Sequence, residues 1–427
     1  MKIDWVNHSS FLLQQGGISL LCDPWIEGYV FDNSWSLVSP TKFSYEDFGR
    51  VTHIWFSHEH PDHFYPPTLK SIPPEIRQRI TVLFQATKDK RVVKFCRNLG
   101  FRTVLEVRPE WLSLSDDLRI FCQPVPGGDS WLAIKSGDRC VVNINDCIHL
   151  SEEELRPVKS AVGAVDALIT QFSYASWWGN QADTASWQKA ARDTLDKIAR
   201  EIAVLEPRDV ILAASFVFFC HQENHYMNEH INRVDRAYRF IADSEKARPI
   251  VLYPGDQWTV GEPWNSETAL SRYSTDFERA LRNPVKVPTS KVELDQLVNG
   301  ALRFVRTLRR NNSDILLRRV PSTTLYLTDH NLSLRLGLSG LRQIRSKSYA
   351  DHDIALSSSA LLYCLRFPWG GETLMINGRF QAPVKGNHHK FFRWFSIAQA
   401  NSRWTYYNRE YYVKRLMNRV RTLCTTG

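Results

Sequence analysis

A short apolar run leads directly into three histidines and an aspartate at Ile54-Trp55-Phe56-Ser57-His58-Glu59-His60-Pro61-Asp62-His63. Its apolar beginning predicts a short buried strand that ends at the histidines. Imidazole and carboxylate groups are common ligands of zinc and iron. His58 and His60 are two residues apart, so at a strand end they project to the same side and can hold one ion. Asp62 and His63 follow directly and can hold a second ion, whereas the alternative is a surface histidine cluster without metal.

Length and composition indicate a soluble globular protein with two domains, because 427 residues exceed one ordinary core. No apolar run approaches the roughly 18 residues of a membrane span, and the N-terminus has no signal-peptide pattern. Eight cysteines are scattered singly, which favours buried thiols in a reducing compartment. We therefore expect a cytoplasmic protein without a membrane span.

The net charge of +9 is moderate. It is typical of a basic solvated surface, although an acidic partner or substrate is the alternative. No block of consecutive basic residues and no zinc-finger spacing is present, so we expect no nucleic-acid partner.

Hairpins come first along the chain, and strand–helix alternation follows. Lys2 to Leu13 and Ile18 to Cys22 are strand-like, and a turn with Gly16 and Gly17 joins them. Ala185 to Leu205 has the apolar spacing of an amphipathic helix between two apolar strand-like runs. The order predicts an α/β fold in which two packed sheets carry helices on their outer faces.

The chain is predicted to contain a catalytic domain at residues 1–265 and a smaller C-terminal α/β accessory domain at residues 290–427, separated by a polar, proline-containing interval. Strand-like runs in the second domain are Thr323 to Leu327, Leu361 to Phe367 and Thr373 to Ile376. A basic, aromatic, helix-like tail runs from Phe391 to Leu423.

The signature H-x-H-x-D-H at His58 to His63 resembles that of the metallo-β-lactamase superfamily. The resemblance implies an αββα sandwich, one metal ion on His58 and His60, a second on Asp62 and His63, and a later aspartate between them. Asp146 matches that aspartate in type and position, and the alternative is a helix-capping role. By this resemblance Asp62 and Asp146 are the catalytic carboxylates.

One departure from the superfamily pattern bears on the metal. Its hydrolases usually place another histidine before the bridging aspartate, but no histidine occurs from residue 64 to residue 148. Asp129, or alternatively Gln123, is expected in its place. The signature provides ligands for two metal ions. A carboxylate in place of an imidazole makes the site a harder ligand set, so we expect iron, with zinc or manganese as alternatives.

A narrower resemblance covers residues 1–260. The segments Asp129-Ser130-Trp131-Leu132, Asn143 to Cys147, Gln171 to Ala175 and Pro254-Gly255-Asp256 look like the catalytic region of CMP-N-acetylneuraminate hydroxylase and its bacterial relatives. The Rieske pattern of that hydroxylase is incomplete, since Cys147-Ile148-His149 has no matching C-x-x-H. An oxygenase would therefore take electrons from a separate donor protein or from its substrate.

The remaining ligands are expected at Cys220 to His225, where His221 and His225 are four residues apart and Glu223 is a further candidate. Hydrogen-bonded loop histidines are the alternative. Asp256 is expected as a ligand or as an orienting residue behind the ligands, and His8 as an orienting residue.

Aromatic residues at Tyr174, Trp177 and Trp178 are expected either to wall the pocket of a small-molecule substrate or to pack in the core. The C-terminal domain faintly resembles a sterol-carrier-like domain. Its His388-His389 is expected to be a solvated pair, and the aromatic and basic residues from Trp404 onward to make a protein contact or a lid.

Three functions are compatible with these patterns. The first is a di-iron oxygenase that oxidises a small polar substrate. The second is a metal-dependent hydrolase of an ester, lactone, amide or phosphodiester. The third is a binding module with a vestigial site, against which the intact signature argues.

Overall fold

The computed structural model describes residues 1–147, 151–284, 286–408 and 411. These residues divide into two compact units. The first takes in the described residues of Met1–Ala175, Thr184–Cys220 and Asn228–Val285, and the second those of Ser176–Asp183, His221–Met227 and Lys286–Gly427. Helix Glu267–Arg282, in the interval predicted to separate the domains, belongs to the first unit.

The strands of the described residues are, in chain order, β1 (Lys2–Asn7), β2 (Ser10–Gln15), β3 (Ile18–Cys22), β4 (Trp35–Leu37), β5 (His53–Phe56), β6 (Thr81–Gln85), β7 (Thr103–Val107), β8 (Trp111–Ser113), β9 (Arg119–Pro124), β10 (Ser130–Ser136), β11 (Arg139–Asn145), β12 (Ala167–Gln171), β13 (Asp209–Ala213), β14 (Val217–Phe219), β15 (Arg248–Ile250), β16 (Gln257–Thr259), β17 (Thr323–Leu327), β18 (Leu332–Gly337), β19 (Gly340–Gln343), β20 (Ile354–Leu356) and β21 (Phe380–Gln381).

The α-helices of the described residues are α1 (Pro66–Ser71), α2 (Pro74–Arg77), α3 (Arg91–Asn98), α4 (Glu152–Val162), α5 (Thr184–Leu205), α6 (Val234–Ala242), α7 (Glu267–Arg282), α8 (Leu294–Asn311), α9 (Asp314–Leu317), α10 (Ser358–Arg366), α11 (Gly370–Asn377) and α12 (His389–Ser402). Short 3-10 helices lie at Glu46–Arg50, His225–Asn228 and Tyr349–Asp351.

Two seven-stranded sheets form most of the first unit, which also contains the two-stranded sheet β14-β4. Their strand orders are β16-β1-β2-β3-β5-β6-β7 and β15-β13-β12-β11-β10-β9-β8. Side chains alternate between the faces of a strand, so Leu20 and Cys22 pack between the sheets while Leu21 packs on the other face, towards the helices. Helix α3 lies against β6 and β7, and α5 and α6 against the second sheet. The predicted αββα sandwich is therefore confirmed.

The first hairpin differs from its prediction in one respect. Gly16 and Gly17 have φ values of 54° and 77°, and they form the predicted turn between β2 and β3. The stretch expected to be one strand is instead β1 and β2, which pair antiparallel. The break comes at His8, whose φ of 46° is left-handed and cannot continue a strand. His8 is thereby placed in a tight turn at one end of the sheet.

Parallel strands bring the chemistry-bearing residues to one end of each sheet. β3, β5, β6 and β7 run parallel, as do β11, β12, β13 and β15. Asp23 directly follows β3, Ser57 and His58 directly follow β5, and Asp146 directly follows β11. The carboxyl ends of these strands therefore carry the candidate site.

The second unit has a five-stranded sheet of order β19-β18-β17-β20-β21, with α8 and α10 among its helices. β17 has the bounds that were predicted for it. The strands predicted at Leu361 to Phe367 and Thr373 to Ile376 are wrong, because α10 and α11 occupy those positions. Their short apolar runs do not distinguish a strand from a buried helix. The side chain of Ser357 accepts a hydrogen bond from Ala360 N and caps α10.

The C-terminal tail begins with α12, as predicted, but residues 409, 410 and 412–427 lie outside the described residues. His149 of the incomplete Rieske pattern also lies outside them. Within the described part of the chain, no helix has the length and apolar character needed to cross a membrane.

Candidate metal centre

The first two histidines of the signature face each other at the end of β5. His58 Nε2 lies 2.8 Å from His60 Nδ1, and the His58 side chain is almost completely buried. Asp129 comes from the turn before β10, and its Oδ1 lies 3.9 Å from His58 Nδ1. Each of the three residues offers a ligand atom within 4.8 Å of the others, so together they can hold one metal ion.

Asp146 lies between two of the signature histidines. Its Oδ2 is 3.6 Å from His58 Nε2 and 3.4 Å from His63 Nε2. His58, His63 and Asp146 form a second set of ligand atoms within 4.8 Å of one another. A carboxylate in this position can contact two cations at once, which suits the bridging role expected from the resemblance.

A third set of ligand atoms contains Asp62, His63 and His8. Asp62 Oδ2 lies 3.4 Å from His63 Nε2 and 3.4 Å from His8 Nε2. All three residues are buried. His8 therefore lies as near to Asp62 as His63 does, although it was expected behind the ligands.

Sequence reasoning missed the residues that orient His63. Asp23, fully buried after β3, has its Oδ2 3.0 Å from His63 Nδ1 and accepts hydrogen bonds from Ser57 and Asn145. If His63 donates its Nδ1 hydrogen to this carboxylate, Nε2 carries the lone pair that faces Asp62 and Asp146. The sequence does show an aspartate directly after an apolar strand. That Asp23 contacts His63, however, depends on the pairing of β3 with β5.

Two further side chains hold the loops of the site together. Gln85, at the end of β6, donates to Ser57 O at 3.0 Å and to Gly128 O at 2.5 Å. Ser130 Oγ donates to the same Ser57 carbonyl at 2.6 Å. The turn that carries Asp129 is thereby fixed against the start of the signature loop.

The site's electrostatics favour ionised carboxylates. Burial alone would raise the pKa of Asp62, but His63 and His8 outweigh burial and hold it well below its usual value. Burial likewise acts to raise the pKa of Asp146, and His58 and His63 lower it. Burial acts to lower the pKa of His63, and Asp146, Asp62 and Asp23 raise it well above its usual value. Both carboxylates are therefore available as anionic ligands.

Unpaired buried atoms test whether these residues fit a metal. Asp62 Oδ1, His63 Nε2 and Asp146 Oδ1 are buried and make no hydrogen bond to any described residue. Buried polar atoms without partners are rare in proteins because they cost free energy. A pair of cations would satisfy these atoms, and imidazole with carboxylate is a donor set for iron, zinc or manganese.

The other predicted ligands lie elsewhere. His221 and His225 belong to the second unit, where His221 Nδ1 accepts a hydrogen bond from Glu223 N at 3.1 Å. Burial lowers the pKa of His221 to about 4. Asp256 Oδ2 accepts a hydrogen bond from Tyr253 N. None of these residues is in the three ligand sets found among the described residues, and their roles stay predictions.

Of the two alternatives for the missing histidine, Asp129 joins a ligand set, whereas the Gln123 amide donates to Pro124 O at 3.0 Å.

The aromatic residues predicted to line a substrate pocket are divided between the two units. Tyr174, in the first unit, is buried with its ring 5.2 Å from Trp187. Trp177, in the second unit, packs on Phe380 at 4.5 Å, and Trp178 is 47% exposed. Their contact with a substrate stays a prediction.

The fold and this cluster define a metallo-β-lactamase-fold domain with a candidate two-metal centre. Residues 2–171 match the family model described as the beta-lactamase superfamily domain, so the resemblance seen in the signature is confirmed over that stretch.

Individual proteins extend the comparison. A protein of Mycobacterium tuberculosis (strain H37Rv), provisionally named as a Rieske 2Fe-2S iron-sulfur protein, is 24% identical over 246 residues. This match covers 54% of the present chain and 46% of the mycobacterial protein, so the chain spans less than half of that relative. The cytidine monophosphate-N-acetylneuraminic acid hydroxylase of Xenopus laevis is 21% identical over 438 residues, which are 93% of this chain and 72% of the hydroxylase. The narrower resemblance is thus confirmed.

Among solved structures, CmlA, a diiron beta-hydroxylase from Streptomyces venezuelae, is 21% identical with a TM-score of 0.42. The match covers 60% of this chain and 53% of CmlA. Proteins named as metal-dependent hydrolases are also similar to this chain, with 40% identity over 63 residues in Pyrobaculum neutrophilum.

Proposed function

We propose that this chain is a di-iron enzyme that uses dioxygen to oxidise a small polar substrate. The observation that carries the proposal is the position of Asp129. A carboxylate stands beside His58 and His60, where hydrolases of this superfamily usually supply an imidazole. Carboxylate-rich sites suit hard, redox-active ions better than zinc.

In this proposal the two ions have separate ligand sets. His58, His60 and Asp129 would hold the first, Asp62 and His63 would hold the second, and Asp146 could contribute to either. An iron pair bound there would supply the change of oxidation state that zinc cannot offer. The chain's own contribution is to fix the ligands. Asp23 sets the orientation of His63, and Ser130 and Gln85 set the position of the Asp129 turn.

A separate protein is proposed as the electron donor. The Rieske name of the mycobacterial relative supports this, because it associates the relative's longer chain with an iron–sulfur centre. We further propose that the enzyme works in the cytoplasm, which the free, buried thiols of Cys22, Cys96, Cys122, Cys140, Cys147, Cys220 and Cys364 support.

Hydrolysis is the second candidate function. The short match to metal-dependent hydrolases favours it, as does the general ability of such sites to lower the pKa of bound water to roughly 7. Under this alternative the substrate is an ester, lactone, amide or phosphodiester.

Metal content and oxygen uptake distinguish the two functions. We expect protein purified without added metal to hold about two iron ions per chain and to consume oxygen when a reductant is supplied. Asp129→His should shift the preference towards zinc and suppress oxygen uptake. Asp129→Glu is the matched control, since it keeps the carboxylate and should keep the iron. Zinc-loaded wild-type protein that cleaves esters and consumes no oxygen would establish the hydrolase instead.

A further inference from the structure

We propose that His8 is a direct ligand of the ion held by Asp62 and His63. This inference rests on the proposed two-metal site and adds a residue to it. His8 Nε2 lies 3.4 Å from Asp62 Oδ2, and the His8 and His63 rings are 5.8 Å apart at a steep angle. Two imidazoles that meet a carboxylate in this way surround a space in which one ion can contact all three.

The His8 ring packs edge-on against Trp25, but its polar atoms lack hydrogen-bond partners among the described residues. The residue is 1% exposed, and neither ring nitrogen makes a hydrogen bond to a described residue. An imidazole that is buried with both nitrogens unpaired loses its hydration without compensation. A metal ion bound to Nε2 would replace the hydration that this nitrogen has lost.

The backbone holds His8 in this position at some cost. Its φ of 46° is unusual for a residue other than glycine, and such strain is frequent at functional sites. His8 N donates to Asn7 Oδ1 at 2.9 Å, and His8 O accepts from Ala214 N at 2.9 Å. Asn7 is anchored in turn to Ser39 O. The turn between β1 and β2 is thus fixed so that the ring faces Asp62.

The alternative is that His8 only donates a hydrogen bond to Asp62. The two roles respond differently to substitution. His8→Gln keeps a hydrogen-bond donor of similar reach but removes the imidazole, whereas His8→Ala removes both. A ligand is lost in both variants, and an orienting donor is lost only in the alanine variant.

The test measures metal binding by the full chain, using cobalt(II) as the probe. We expect both His8 variants to bind a second cobalt equivalent at least about tenfold more weakly and to alter its visible absorption. His53→Ala is the matched control, since His53 lies at the start of β5 and contacts the Thr52 hydroxyl. His58→Ala reports on the two-metal site itself.

The outcomes separate the two proposals. If His58→Ala loses metal while both His8 variants retain two tightly bound equivalents, His8 is no ligand and the two-metal site stands. If only His8→Ala loses metal, the orienting role is correct and this inference is overturned. If His58→Ala also retains two equivalents, the proposed site itself fails.

A second inference concerns the second unit alone. We infer that the exposed face of α8 and the adjoining groove bind an acidic segment of another protein. Residues 286–427 contain 23 of the chain's 54 lysines and arginines but only 8 of its 45 acidic residues. On α8, Arg303, Arg306, Arg309 and Arg310 are all exposed, and none forms an ion pair with a described residue.

The groove beside these arginines has an apolar floor. It encloses about 340 Å³ and is lined by Phe304, Leu308 and Leu365, with Arg303 and Arg366 also among its lining residues. Phe367 also lines it and stacks on Trp369 at 5.3 Å, and both rings are more than a third exposed. Exposed aromatic and arginine side chains around an apolar depression are typical of protein-binding surfaces.

The extent of the charge favours a protein over a small anion. From Arg303 to Arg310 the helix axis covers about 10 Å, which exceeds the reach of a single carboxylate or phosphate. The floor of the groove takes an aliphatic or aromatic side chain. A segment with spaced acidic residues and one apolar side chain therefore complements this surface.

The probe is a fluorescent peptide of about twelve residues, rich in glutamate with a central leucine pair, which is long enough to follow α8. We expect saturable binding to the full chain at about 50 mM salt and weaker binding at about 200 mM. Arg303→Glu with Arg366→Glu should weaken binding at least tenfold. Arg335→Glu with Arg342→Glu is the matched control, because these arginines are exposed and opposite each other on β18 and β19.

Phe367→Ala changes no charge and should weaken binding about threefold or more if the groove accepts a side chain. An oligonucleotide of equal charge that binds as tightly as the peptide would overturn the inference in favour of nucleic acid. Equal losses in the two double variants would reduce it to general charge attraction. Salt-sensitive dimers of the chain that the Arg303 and Arg366 changes abolish would make this face a self-interface instead.

Discussion

Asp23 Oδ2 lies 3.0 Å from His63 Nδ1, in a position where both residues are completely buried. The contact joins the end of β3 to the signature loop and turns the other nitrogen of His63 towards Asp62 and Asp146. Metal-binding histidines in proteins almost always have such a partner on the opposite ring nitrogen. The contact is therefore part of the candidate centre, although Asp23 is in none of the ligand sets.

Asp23→Asn should lower the affinity of the site for metal by about ten- to a hundredfold, because the amide is a weaker partner for the His63 N–H. Competition with a chelator measures the effect. Asp166→Asn is the control, since Asp166 directly precedes β12 in the same unit and accepts a hydrogen bond from Cys140 N. Equal affinities in wild type and Asp23→Asn would show that His63 needs no orienting carboxylate.

His60→Ala combined with His63→Ala should remove nearly all bound metal, because each proposed ion then loses an imidazole. Elemental analysis of the purified variant gives the metal-to-protein ratio. Circular dichroism should show that the fold is retained. Two equivalents of metal in this variant would contradict the assignment of the signature.

Asp146→Asn should reduce paired occupancy more than single occupancy. A carboxylate between two cations offsets their repulsion, and an amide carries no charge to do so. The metal-to-protein ratio and the magnetic coupling of an iron pair measure the change. An unchanged, coupled pair would rule out Asp146 as the bridge.

A buried ion pair on α5 should affect stability. Lys197 Nζ lies 3.2 Å from Glu201 Oε1, both side chains are at most 4% exposed, and Thr170 donates to the same carboxylate. Lys197→Met leaves Glu201 as an unpaired buried charge and should cost about 3–5 kcal/mol of unfolding free energy. Denaturant titration measures the loss.

The exposed pair Lys189–Asp193 is the control for this prediction, because it has the same spacing on the same helix. Lys189→Met should cost less than about 0.5 kcal/mol. Replacing Lys197 and Glu201 together with methionine and leucine should recover much of the loss. A Lys197→Met variant as stable as Lys189→Met would show that Glu201 is not held as an ion.

The sequence predicted those parts of the molecule that depend on local pattern. The turn at Gly16 and Gly17 could be predicted because glycine readily adopts the positive φ angles that both residues have. The signature loop could be predicted from the spacing of metal-ligand residues after a strand. The role of Asp23 was not predicted, because it depends on the parallel pairing of Cys22 with Trp55 and no local sequence pattern indicates that pairing. The contact of Asn145 with Asp23 was not predicted for the same reason, since Asn145 belongs to a strand of the other sheet.

The errors in the second unit have a different cause. From Leu361 to Leu365 the run has no charged residue, and such a short apolar run does not distinguish a helix from a strand. The deciding features are the Ser357 cap before α10 and Gly378, which ends α11 with a φ of 66°. The apolar runs therefore indicated which segments are buried, but they did not indicate whether those segments are helices or strands.

The hydrogen bond from Asn145 to Asp23 joins residues 122 positions apart in the chain. A ribosome must therefore deliver β11 as well as the histidine signature before the proposed centre can close. Nascent chains that end before residue 129 would expose His58 to His63 without Asp129 and Asp146, and an incomplete set of ligands selects poorly among cations. The proposed ligands are therefore complete only once residue 146 of the 427 has been made, and we expect ribosome-arrested chains that end before and after residue 147 to differ in the metal they retain.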